Sequence, residues 1–127
     1  MSIRAEIEIK NNRSETIYAP SFEQLADEIN KLDGTRYALL IKNDKVEWEV
    51  FSLVKKEDYF LCFYYSDDEY YLVNPSITEN DEWEVDMPDT TVRPAKYFND
   101  LHTILIATKT YLETGQMDNT LTWEIWE

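Results

Sequence analysis

The chain has 127 residues, 26 of them acidic and 12 basic, for a formal net charge of −14, and it is 43% hydrophobic and 14% aromatic. That length suits one domain, residues 1–127, around one core, and aromatic residues interleaved with the charges exclude a disordered, self-solvating chain. A surface this negative repels phosphates and anionic lipids. It speaks against direct contact with nucleic acid or membrane and for a basic protein partner.

Ile3, Ala5, Ile7 and Ile9 alternate with Arg4, Glu6, Glu8 and Lys10, the period-two pattern of a half-buried strand. Asn11-Asn-Arg-Ser14 predicts a turn in which asparagine takes the left-handed conformations of a tight hairpin, and Glu15–Ala19 is the return strand. Pro20-Ser21-Phe-Glu-Gln24 opens a helix with a capping-box pattern. Phe22, Leu25, Ile29 and Leu32 form its apolar stripe, and Gly34 stops it.

Strands follow. Arg36–Lys42 carries a Tyr-Ala-Leu-Leu-Ile run, and Asn43-Asp44-Lys45 turns. Val46–Val54 alternates through Val46, Trp48 and Val50, with Glu47 and Glu49 facing away. Tyr59–Tyr65 is apolar on both sides and belongs in the sheet interior. Ser66-Asp67-Asp68 turns, Glu69–Val73 returns, and Asn74-Pro75 ends that strand. Glu82–Asp86 alternates through Trp83 and Val85, and Pro88 and Pro94 bracket a loop-like extended stretch. A second helix starts at Asn99 or Asp100, either of which can cap it. Its buried stripe is Leu101, Ile104, Leu105, Thr108, Tyr111 and Leu112, and Gly115 closes it. The tail from Leu121 to Trp126 is a last edge strand or an apolar strap. Consecutive strands on short turns are antiparallel, and two helices with one apolar stripe each cover one face. The expected class is therefore α+β, a twisted, mainly antiparallel sheet with two helices on one face.

Most catalytic vocabulary is missing. One cysteine, Cys62, and one histidine, His102, cannot assemble a zinc site of the usual ligand set. Cys62 reads as a small buried hydrophobe and His102 as a helix-surface residue. Two glycines, both placed as helix stops, leave none for a phosphate-cradling loop. Carboxylates are plentiful in Asp67-Asp68-Glu69 and in Glu79-Asn-Asp81-Glu82-Trp-Glu84-Val-Asp86. The second run lacks the calcium-loop pattern, and a solvated acidic face explains both more simply than acid/base catalysis. The expectation is no enzyme, no cofactor and no metal. No segment approaches the roughly 18 apolar residues of a membrane span. The N-terminus lacks the apolar centre of a signal peptide, so the expected compartment is the cytoplasm.

What the chain does offer is acid beside aromatic. Alternation puts Glu82, Glu84 and Asp86 on one side of a strand and Trp83 and Val85 on the other, and Glu47 and Glu49 repeat the pattern beside Trp48. Such carboxylate ladders cost stability through like-charge repulsion unless hydration or a basic partner offsets it. The candidate partner-binding residues are Asp67, Asp68, Glu69 and Tyr70, then Glu82, Trp83, Glu84 and Asp86.

The order of a capped helix ending in Lys31-Leu-Asp-Gly34, a Tyr-Ala-Leu-Leu-Ile strand, a hairpin with Asp67-Asp68-Glu69-Tyr70, then Arg93-Pro-Ala-Lys-Tyr-Phe-Asn-Asp-Leu101 leads to the sharpest signature. That signature is Glu113-Thr-Gly115 followed by Asp118, Leu121, Thr122 and Trp123. From about residue 20 to the end, the chain resembles the first-numbered immunity-protein family of bacterial polymorphic toxin systems. It departs from that family over Asn43–Asp58, which is longer and more charged and carries Trp48. The resemblance implies an immunity protein that binds and neutralises a secreted toxin domain. Such toxins often target nucleic acid, and deaminases are frequent among them. In this chain Gly34, Gly115, Asp118, Leu121 and Trp123 read as architectural. The alternative from composition is an acidic adaptor or chaperone of a basic protein. A monomer or weak homodimer is expected in either case.

Overall fold

The structure, a computed structural model, describes residues 3–87 and 89–126, with the backbone alone at Glu47. Pro88 and the Glu47 side chain, both part of the sequence reading, lie outside the described residues. Strands β1 (Ile3–Ile9) and β2 (Arg13–Tyr18) form the first hairpin, and helix α1 (Phe22–Lys31) follows. Then come β3 (Arg36–Asn43), β4 (Val46–Lys56), β5 (Tyr59–Tyr65), β6 (Glu69–Leu72), β7 (Glu82–Asp86) and β8 (Thr90–Pro94). A single 3-10 turn (Ala95–Tyr97) and β9 (Phe98–Asn99) lead into helix α2 (Leu101–Thr114), and β10 (Trp123–Ile125) ends the chain.

The main sheet runs β10-β6-β5-β4-β3-β1-β2, with β9 joined to the other end of β5, and β7 pairs β8 in a separate two-stranded sheet. Every pairing is antiparallel. The protein is α+β, as the alternating strands and two amphipathic helices dictate.

Local chemistry explains the element ends. Asn11 and Asn12 turn β1 into β2 with φ of 70° and 59°, a conformation asparagine tolerates better than most residues. Ser21 Oγ accepts from the Gln24 amide (3.1 Å), and Gln24 Oε1 accepts from the Ser21 amide (2.8 Å), closing the capping box on α1. Asp100, not Asn99, caps α2 by accepting from the Thr103 amide at 2.9 Å. Asn99 is buried and donates to the carbonyl of Leu72.

Helix α2 stops at Gly115, in the left-handed region at φ 73° with its amide donating to the Tyr111 carbonyl. Gly34 differs from expectation. Helix α1 ends at Lys31 with Leu32 as its cap. The turn beyond is held by Asp33, whose Oδ1 accepts from the amides of Thr35 (2.7 Å) and Arg36 (2.8 Å). Gly34 has no left-handed φ, and a Cβ there meets nothing within 4 Å. The two glycines are therefore unequal. Gly115→Ala is expected to cost roughly 1–2 kcal/mol, whereas Gly34→Ala leaves stability unchanged or raises it by up to about 1 kcal/mol. Denaturant midpoints of the two variants check this.

The helices cover one sheet face. Leu25, Ile29 and Leu32 of α1 and its cap, with Ile104, Ala107 and Tyr111 of α2, close over Ile7, Leu39, Ile41, Phe51, Leu53 and Cys62. Phe51 stacks on Tyr111 at 4.8 Å. Each fully buried aliphatic side chain here contributes roughly 1.5–3 kcal/mol. The β4 pattern places the core differently from its first half. Phe51 and Leu53 point to the helices, while Trp48 is 64% exposed where the register between β3 and β4 shifts. Glu49 accepts from the Tyr111 hydroxyl at 3.1 Å, so its carboxylate rims the helix layer. Arg36 ties the edge together, forking onto Glu15 of β2 (2.9 and 3.2 Å) and reaching Glu28 of α1 (3.2 Å).

On the opposite face Ala38, Val54 and Leu61 meet Val85 of β7, with Tyr97 and Phe98. The β7–β8 hairpin thus sits as a small second layer over one end of the sheet.

Candidate protein-binding site

β7 keeps the alternation its sequence requires: Glu82, Glu84 and Asp86 are exposed, Trp83 is half-buried and Val85 is buried. Val85 anchors the hairpin in the second core. The Trp83 ring lies 5.1 Å from Phe98 and 5.5 Å from Tyr59, tilted by 59° to the latter. The stretch between Pro88 and Pro94, expected to be loop-like, is instead strand β8. Thr90, Thr91 and Val92 are β-branched and pair with β7, and Pro94 sits opposite Glu82 at the strand end.

The register fixes where the backbone points. Ala95 donates to the Asp81 carbonyl (2.8 Å), and Met87 donates to that of Asp89 (3.0 Å). By alternation Trp83 and Val85 bond to β8, so Glu82, Glu84 and Asp86 turn their amides and carbonyls to the other edge. Proline, which has no amide to donate, fits opposite Glu82 for the same reason.

That edge faces the β4–β5 turn, where Glu57 adopts φ 53°. Between them lies a cleft of ≈ 590 Å³ lined by Lys56, Glu57, Tyr59, Glu82, Trp83 and Glu84. A second cleft of ≈ 280 Å³ shares Lys56, Glu57 and Glu84 and extends along β7 to Asp86 and Thr90. Asp86 is engaged with Lys10 at 3.5 Å. The carboxylates of Glu82 and Glu84 have no hydrogen bond or ion pair among the described residues.

The run at residues 67–70 is elsewhere and is divided. Asp67 and Asp68 are exposed at the β5–β6 tip. Glu69 is committed to the tail. Its Oε1 accepts from the Tyr71 hydroxyl (2.8 Å), which in turn accepts from Arg93 Nε (3.0 Å), and the Glu69 carbonyl accepts from the Trp126 amide (2.8 Å). The Arg93 guanidinium lies 4.7 Å over the Trp126 ring. Burial is the main cause pushing the Tyr71 hydroxyl up to about 12, with the Arg93 bond opposing it. Tyr70 turns to the helix side, half-buried, 6.4 Å from Tyr64. Tyr65 pairs with Glu69 at one end of β5, whereas Tyr59 meets Trp83 at the other. Six residues of strand put the two acidic runs about 20 Å apart, so the eight candidate residues do not share one patch.

Lys56, Glu57 and Tyr59, the far wall of the cleft, were not singled out in the sequence. Tyr59 opens a strand that reads as interior, and only the placement of β7 reveals its ring. The C-terminal signature is architectural. Asp118, 9% exposed, accepts from the hydroxyls of Thr110 and Thr120 and from the Thr120 amide (2.8 Å), and its carbonyl accepts from the Trp123 indole (3.0 Å). Leu121 and Trp123 pack against the helix-side core. Cys62 is fully buried and burial pushes its thiol up, out of the reactive range. His102 is exposed on α2.

No protein-family model matches the chain, and no curated protein matches its sequence. Fold and site define a class: a small α+β domain whose helix-free face carries an acid-edged hairpin. No helix among the described residues is long and apolar enough to cross a membrane.

Proposed function

We propose that the protein is an immunity protein that binds and neutralises a basic toxin domain, acting by binding and not by catalysis, in the cytoplasm. The observation that carries the reading is the β7 edge. It holds two carboxylates without a partner among the described residues and a half-buried tryptophan beside an open cleft, on a chain of net charge −14. A toxin acting on nucleic acid needs a basic groove, and a rigid acidic edge complements such a groove in charge and steers the encounter. Inhibition follows from occlusion. Seated over the groove, the β7–β8 hairpin excludes the phosphates the toxin must hold. For a deaminase, it also excludes the extruded or single-stranded base. The resemblance of Glu113-Thr-Gly115, Asp118, Leu121, Thr122 and Trp123 to the immunity family's signature is a second, sequence-level support for the reading.

The test is capture of the tagged protein from its own cells, with the bound protein identified by mass spectrometry, and co-expression of that protein's isolated C-terminal domain. Recovery of a basic toxin domain whose lethality is suppressed on co-expression is the expected result. Capture of a non-toxic basic protein instead makes the chain an adaptor or chaperone.

A further inference from the structure

We propose that the cleft between β7 and the β4–β5 turn is a guanidinium pocket that receives an arginine side chain of the partner; that the arginine belongs to a toxin rests on the reading above. Its lining residues include three glutamates, Glu57, Glu82 and Glu84, and one lysine, Lys56, so the cleft favours a cation. Lys56 sits on a flexible stem that can swing aside. Glu82 and Glu84 are two apart on one strand, and both are free of other partners among the described residues. Their backbone carbonyls face the same edge, which adds acceptors to the carboxylates.

The rings of Tyr59 and Trp83 supply the apolar surface. Trp83 is held between Phe98 (5.1 Å) and Tyr59 (5.5 Å), and Tyr59, 36% exposed, keeps part of its ring open to solvent. An aromatic face beside carboxylates suits a planar, weakly hydrated guanidinium, which stacks and forks at once. A compact, strongly hydrated ammonium gains less from the same walls.

The probe is a blocked pentapeptide, acetyl-Gly-Gly-Arg-Gly-Gly-amide, with lysine and citrulline versions, titrated into the intact 15N-labelled protein. The readout is the four tryptophan indole resonances. The arginine peptide is expected to shift the Trp83 indole saturably and in a salt-dependent way, more tightly than the lysine peptide, while citrulline, isosteric but uncharged, leaves it in place. Glu82→Gln with Glu84→Gln is expected to weaken that binding by roughly tenfold, with the Trp123 and Trp126 resonances unmoved as the check on folding. A Trp83 indole that ignores the arginine peptide, equal shifts from arginine and citrulline, or undiminished binding by the double variant overturns the pocket. A toxin captured by a protein whose Trp83 stays silent overturns the pocket alone. Arginine binding with no toxin captured supports the pocket and overturns the immunity reading.

Discussion

Replacing Glu82 and Glu84 with glutamine and Asp86 with asparagine should weaken partner binding on the order of a hundredfold at low salt while leaving the unfolding midpoint unchanged or slightly raised. Each interfacial charge pair of this kind contributes on the order of 1 kcal/mol or more, and three lost together approach two decades in Kd. Stability does not fall because the three side chains are exposed. Asp86 alone has an ion pair, with Lys10, and both partners are half solvent-exposed, where such pairs contribute little. Removing like charges spaced two apart on one strand relieves repulsion. The control carries the same charge change on the helix side: Glu23→Gln, Asp27→Asn and Glu113→Gln, all exposed. It should slow association modestly through lost steering and leave dissociation unchanged. Surface plasmon resonance against the captured partner reads both rates. Equal losses in the two triple variants would mean that net charge, not the β7 edge, makes the contact.

Asp118→Ala should produce the largest loss of stability of any single substitution in a loop, about 3 kcal/mol, lowering the thermal midpoint by roughly 10 °C. The carboxylate joins the third turn of α2, through Thr110, to the tail, through Thr120, and its carbonyl holds the Trp123 indole. Trp123 then packs on Phe51 at 6.5 Å. Losing the carboxylate leaves the Thr110 and Thr120 donors without their acceptor beside the core. The pH dependence has a definite sign. The hydroxyl of Thr110 first, then the hydroxyl and amide of Thr120, hold the Asp118 carboxyl below its ordinary value of 3.8. A depressed folded-state pKa contributes stability that is fully present above the unfolded value and is lost as pH falls through the folded one. The gap between the parent and Asp118→Ala should therefore be constant near neutrality and shrink below about pH 4. Denaturant titrations at pH 7 and at pH 3 measure it. A gap that stays constant across that range would show that the carboxylate's charge does not contribute.

Much of the local structure is legible in the chain. The alternation of Ile3 to Ile9, the capping box at Ser21 and Gln24, the paired asparagines, the stripe of α2 and the left-handed Gly115 all follow from interactions within a few residues. The neighbours that satisfy each group are close in sequence. Errors arise where the deciding partner is remote. Gly34 reads as a helix stop from its position, yet Asp33 holds that turn. The stretch after Pro88 reads as a loop because prolines flank it, yet Pro94 falls on a backbone position that needs no donor, and β8 forms. The β4 alternation is real, but nothing local says that Phe51 and Leu53 face the helices while Trp48 stays in solvent.

The sequence by itself determined the charge, the period of each strand and the outward set Glu82, Glu84 and Asp86, because side-chain alternation is a property of extended backbone alone. Only the tertiary structure decided which carboxylates remain free. Glu69 and Tyr70, adjacent to Asp67 and Asp68, are taken up by the Arg93–Tyr71 network and by the helix-side core. Glu82 and Glu84 stay unpaired among the described residues, close to Tyr59, because Val85 and Trp83 pack against the core of Val54, Leu61 and Phe98 and so bring β7 over the β4–β5 turn. That docking is hydrophobic and long-range. It removes apolar area from water wherever two complementary faces meet, and the pairing of those faces is encoded in no single stretch of chain.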